Sequence, residues 1–161
     1  MYRIKSFLKQ IFTLIALTFL ISALSSCEKQ AILEHGLDEI QLAAGRVAGT
    51  WTSPSSIKTP DGVPSDIFGD MRLLFTTDKE GYPGKFVAKN CPIVFSSDAE
   101  NWAITLKEDN NEISLTDIVP VDVFSFKVNA STLTISFHMG WENTETGEQG
   151  EGDFSATLIR K

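Results

Sequence analysis

The chain has two cysteines and two histidines, and they are spread too far apart to form a catalytic cluster in sequence. Cys27 ends the run Leu24-Ser25-Ser26-Cys27. Cys91 sits in Asn90-Cys91-Pro92-Ile93-Val94-Phe95, an apolar setting that suits a buried small hydrophobe better than a reactive thiol. His35 lies beside Glu34, and a metal site needs more ligands than one such pair. His138 alternates with Phe137 and Met139, so it falls on the polar face of its segment as a surface or rim histidine. Glu142, Glu145, Glu148, Glu151 and Asp153 crowd one stretch, but the ordered Asp-x-Asp-x-Asp-Gly pattern of a calcium loop is missing. There is no Gly-x-Ser-x-Gly elbow, phosphate loop, His-Glu-x-x-His or Cys-x-x-Cys. The expectation is therefore a protein that is not an enzyme and carries no metal or cofactor.

The thiol of Cys27 has a different chemistry open to it. Arg3, Lys5 and Lys9 form a basic start, and residues 11–24 form an uncharged apolar run. Small residues then lead into the cysteine. This resembles the lipobox of bacterial lipoproteins. The resemblance implies a diacylglyceryl group on the Cys27 sulfur, removal of residues 1–26, and acylation of the new N-terminus. Residues 27–46 then become a lipid-anchored tether with a short helix. Each buried acyl CH₂ contributes about 0.8 kcal/mol, so two or more chains hold a protein durably. A transmembrane helix is the alternative, but a span needs about 20 apolar residues and this run is shorter. Plain secretion with a free Cys27 is the other. The expected location is the cell envelope. Glu28-Lys29-Gln30 does not resemble a strong inner-membrane retention signal, which favours the outer membrane. Periplasmic and surface exposure both stay open.

Loss of residues 1–26 would remove three of the 14 bases and none of the 21 acids, leaving 11 bases against 21 acids, a net charge of −10. Phosphate binding needs clustered Lys and Arg, so nucleic acid is excluded as a partner. What remains is one domain's worth of chain, large enough for its own core. With Cys27 acylated, Cys91 has no intramolecular disulfide partner. The oligomeric state is not legible.

The elements that must position any site are mostly strands. Residues 28–46 carry Ile32, Leu33, Leu37, Ile40 and Leu42 near helical spacing, with Gly45 placed to end the helix. From Val47 the pattern switches to eight β segments: 47–53, 71–77, 85–88 with a continuation through 95, 101–107, 112–117, 121–129, 131–140 and 153–160. Leu133, Ile135, Phe137 and Met139 share one face of the seventh, and Thr132, Thr134, Ser136 and His138 the other. Such alternation means one apolar and one solvated face. Short connectors imply an antiparallel meander. Eight strands can close into an up-and-down barrel, with a two-sheet β-sandwich as the alternative. Residues 54–70 and 141–152 read as long loops.

Gly49-Thr50-Trp51 opens the first strand just after the helical segment. With eight β segments and a basic last strand, this resembles the lipocalin-like domains carried by bacterial lipoproteins, over residues 47–161. The resemblance implies that Trp51 plugs the closed end of a barrel and that Arg160 packs across it as a structural latch. Alternation puts Arg160 on the face of Phe154, Ala156 and Leu158, so its guanidinium could lie on the indole. It also implies an interior that holds a small hydrophobic or amphipathic ligand. Phe75, Trp102, Phe124, Phe126 and Phe137 are the candidate lining residues, with Trp102 placed near a mouth. The other reading of the same aromatics is a solid core. The domain would then bind an envelope protein or glycan through its two long loops.

Overall fold

A computed structural model describes residues 36–116 and 120–161. Helix α1 (Glu39–Val47) begins with an acid and carries Arg46 in its last turn, as the helix dipole favours. It buries Ala44 and Val47. The helix runs through Gly45. It ends at Val47, and Gly49, with a φ of 135°, turns the chain into the sheet. Ile32, Leu33 and His35 lie outside the described residues.

Eight strands follow: β1 (Gly49–Lys58), β2 (Arg72–Thr77), β3 (Pro83–Lys89), β4 (Glu100–Thr105), β5 (Glu112–Leu115), β6 (Val123–Val128), β7 (Thr132–Glu142) and β8 (Gln149–Arg160). Each pairs antiparallel with the next, and β8 pairs back with β1. The sheet is a closed up-and-down barrel, which rules out the two-sheet sandwich. Closure leaves no exposed sheet edge. The inward set of β7 is Leu133, Ile135, Phe137 and Met139, all buried, as the alternation requires. Short turns are fixed by side chains that mimic the backbone. Asn129 Oδ1 accepts the amides of Ser131 and Thr132 at 3.0 and 2.8 Å. Asp78 Oδ1 accepts those of Glu80 and Tyr82, both at 2.9 Å.

Several boundaries differ from the sequence pattern. β1 continues to Lys58 past Pro54, through register shifts at two bulges where Ser53 and Ser56 have φ of 54° and 47°. A bulge leaves a residue outside the ladder, which is how a proline is accommodated. A 3-10 turn (Ser65–Phe68) then interrupts the expected long loop. β3 stops at Lys89 and does not continue through Phe95. Asn90 takes a φ of 60°, and the Cys91 carbonyl accepts both the Val94 and Phe95 amides, so the chain turns in. Half of the expected loop at 141–152 is ladder: β7 and β8 pair as far as Glu142 and Gln149, and only residues 143–148 form the turn.

Candidate functional site

At one end of the barrel, the close of α1, the start of β1 and the end of β8 meet. Trp51 is fully buried, and its Nε1–H donates to the Val47 carbonyl at 2.7 Å. Arg160, directly across the β1–β8 ladder, lays its guanidinium 4.2 Å from the indole centroid. Its Nη1 donates to the Ala48 carbonyl at 2.7 Å, and Nη2 donates to the Arg46 carbonyl. These carbonyls close a helix C-terminus, where a cation is favoured. Gly49 is required twice over. Its φ suits glycine, and a Cβ there would stand 2.9 Å from Arg160 Nη1.

The five aromatic candidates all point into the barrel and are buried. Phe75 meets Trp102 edge-on at 5.1 Å and Phe86 at 4.9 Å. Phe86 meets Phe95 and Phe124, at 5.4 and 6.4 Å. Phe95 meets Phe137 at 6.0 Å, and Phe137 stacks on Phe154 at 5.5 Å. Four of the five thus belong to one continuous ring network, while Phe126 packs opposite Ile135 on the next strand. Trp102 is not at a mouth. Its Nε1–H donates to the Thr76 carbonyl at 2.9 Å, toward the end of the barrel where α1 packs against β2 and β4.

The opposite end is the mouth, and two residues from its loops fill it. Phe68, from the 3-10 turn, is fully buried against Phe137 and Phe154 at 6.3 and 6.2 Å. Phe95, from the turn after β3, is buried between Phe86, Phe124 and Phe137. Met71 and Val94 are fully buried beside them in sequence. The β7–β8 hairpin reaches past the mouth, and the strap after β1 folds onto its inner face. Pro60 sits where a Cβ on Gly152 would be, 2.5 Å from the ring Cγ, and Trp141 packs on Gly62 and Gly150. The sequence reading missed Phe68 because it lies in a Pro/Ser/Gly/Asp-rich stretch, where an isolated aromatic has no periodicity to mark it.

Cys91 is buried, and desolvation pushes its thiol from an ordinary value near 9 up to about 12. Glu100 places a carboxyl group in a buried position at the start of β4. On the outer face, His138 Nδ1 and Asp153 Oδ1 pair at 2.8 Å across the β7–β8 ladder. They border a cleft of about 380 Å³ that Lys58, Ser125, Ser136 and Ser155 also line. Among the described residues, no three His, Cys, Asp or Glu side chains come together as a metal site. Nor is any helix among them long and apolar enough to cross a membrane. Cys27 lies outside the described residues.

Comparison of the chain with protein families, with curated proteins and with solved structures finds no match.

Proposed function

We propose that this chain is a lipid-anchored cell-envelope lipoprotein whose barrel is a non-enzymatic binding domain working from its outer surface. The anchor rests on the basic start, the apolar run and Cys27. The outward-facing role rests on one observation, the occupied interior: Phe68 and Phe95 fill the mouth above a continuous network of buried rings. An eight-stranded barrel has room for its own side chains or for one small ligand, and here the described side chains take that room. The network gives Phe75, Trp102, Phe124 and Phe137 a packing role. The latch of Trp51 and Arg160 holds the other end.

The test has two arms. The full chain, extracted in mild detergent, is weighed by native mass spectrometry and then denatured. The expected mass is that of the polypeptide plus acyl groups. A non-covalent apolar molecule released on denaturation would overturn the outward-facing reading and restore a hydrophobic cargo. Cys27→Ser should abolish incorporation of a labelled fatty acid and release the domain from membranes. Continued labelling of that variant would overturn the anchor.

A further inference from the structure

The outer-face cleft has a composition that neither the latch nor the core explains. β7 and β8 run side by side through eleven register pairs, and outward side chains at paired positions stand next to one another. Ser136 faces Ser155, Ser125 faces Ser136 on one side, and Lys58 faces Ser155 on the other. One row of polar groups therefore crosses four neighbouring strands, Lys58–Ser155–Ser136–Ser125. At strand spacings of about 4.8 Å it spans roughly 14 Å. The next row up is the His138–Asp153 pair. The second bulge of β1, at Ser56, falls just before Lys58 and bends the strand where it borders the cleft.

We infer that this cleft binds a neutral, polyhydroxylated ligand, one or two sugar rings of a glycan. The inference deepens the outward-facing reading and rests on it. A sugar hydroxyl both donates and accepts, and so do the hydroxyls of Ser136 and Ser155, while Ser125 Oγ donates to the Ser136 carbonyl at 3.1 Å and offers the ligand an acceptor. Lys58 supplies donors only, and Asp153 acceptors only. The His138 ring is held by Asp153 through Nδ1, which leaves Nε2 to meet the ligand. One lysine against one aspartate gives the lining no strong preference for an anion or a cation. The strongly acidic chain further disfavours an anionic sugar. The volume, about 380 Å³, lies at the small end of ligand sites and suits one or two rings. The site is open to water, so its hydrogen bonds are individually weak, and a Kd on the order of 1 mM is expected.

The experiment is a titration of the isotopically labelled full chain, in detergent, followed by amide NMR. The probes are maltose, cellobiose and diacetylchitobiose, with glucuronate as the acidic comparator. The expected result is saturable shifts at Ser136, His138, Asp153 and Ser155 with at least one neutral disaccharide, weakened about threefold by Asp153→Asn. Lys58→Ala should weaken binding as well. Ser155→Tyr, which fills the cleft, should abolish the shifts while the thermal midpoint stays within a few degrees. No shift with any neutral probe up to about 50 mM overturns the inference. Shifts with glucuronate alone overturn the ligand class. Shifts confined to interior residues such as Phe86 and Phe124 overturn both the cleft and the solid core. The native mass measurement tests the solid core separately, so the two failures can be told apart.

Discussion

Replacing Arg160 with methionine keeps most of the stem's bulk and removes the fork. Two guanidinium hydrogen bonds go with it, to the Ala48 and Arg46 carbonyls, along with the stack on Trp51. Bonds to a charged donor contribute about 1.5–3 kcal/mol each when buried, and an exposed cation–π contact about 0.5–1. Arg160 is half-buried, so the low end applies and the sum is roughly 3.5 kcal/mol. For a domain of about 120 residues the unfolding entropy is roughly 0.25 kcal/mol per kelvin, and the midpoint should fall by about 14 °C. Arg160→Lys keeps the charge at the helix terminus but cannot span both carbonyls. It should fall by about half as much. The assay is a circular dichroism melt of the full chain in detergent. Trp51→Leu added to Arg160→Met closes a double-mutant cycle, with an expected coupling of about 1 kcal/mol. A midpoint within about 2 °C of wild type for Arg160→Met would refute the latch. So would strict additivity of the two substitutions.

Trp51→Ala removes a fully buried indole and its bond to Val47, and should cost about 3–5 kcal/mol, read as a lowered denaturant midpoint. Gly152→Ala drives a methyl into the Pro60 ring and should cost about 1–3 kcal/mol while increasing binding of an apolar dye at the loosened mouth. Adding Pro60→Ala should recover most of that loss, and failure to recover would remove the strap from the account. Cys91 should resist a thiol reagent at neutral pH until the chain unfolds. Its folded value lies above its unfolded one, so the unfolded chain gives up the proton first. The stability it contributes is intact below about pH 9 and is lost as pH rises toward about 12. Cys91→Ala should flatten the stability–pH slope in that window, and an unchanged slope would refute the assignment.

The barrel was legible because its signals are local and repeated. Period-two alternation in β4, β5 and β7, and turn residues such as Asn129, mark strands and their joins without knowledge of what they pack against. Arg160 could be placed on the inward face of β8 for the same reason. What alternation does not encode is the path of a chain that leaves the ladder. Ser53 and Ser56 sit at positive φ inside a strand that runs on past Pro54. Phe68 and Phe95 become core only because the strap and the turn after β3 fold over the mouth. The outer cleft was invisible for another reason. Lys58, Ser136 and Ser155 are ordinary solvated-face residues in one dimension, and only the β1–β8–β7 register brings them together.

The inner and outer faces of the barrel should tolerate substitution differently. On the proposed anchoring, an acylated Cys27 cannot pair with Cys91, and the buried rings would carry the stability of the fold. A core that closely packed cannot also empty itself for a cargo without losing much of that stability. The cleft side chains are the reverse case. They are solvated in the folded and unfolded chain alike, so substituting them should leave folding nearly unchanged. Binding and stability should therefore separate by face. Inward substitutions such as Phe137→Ala should lower the midpoint by about 3–5 kcal/mol worth of stability. Outward ones such as Asp153→Asn should stay within about 0.5 kcal/mol and move only the saccharide titration. A cleft variant that destabilised the barrel as much as a core variant would show that the outer face is structural, and the separation would fail.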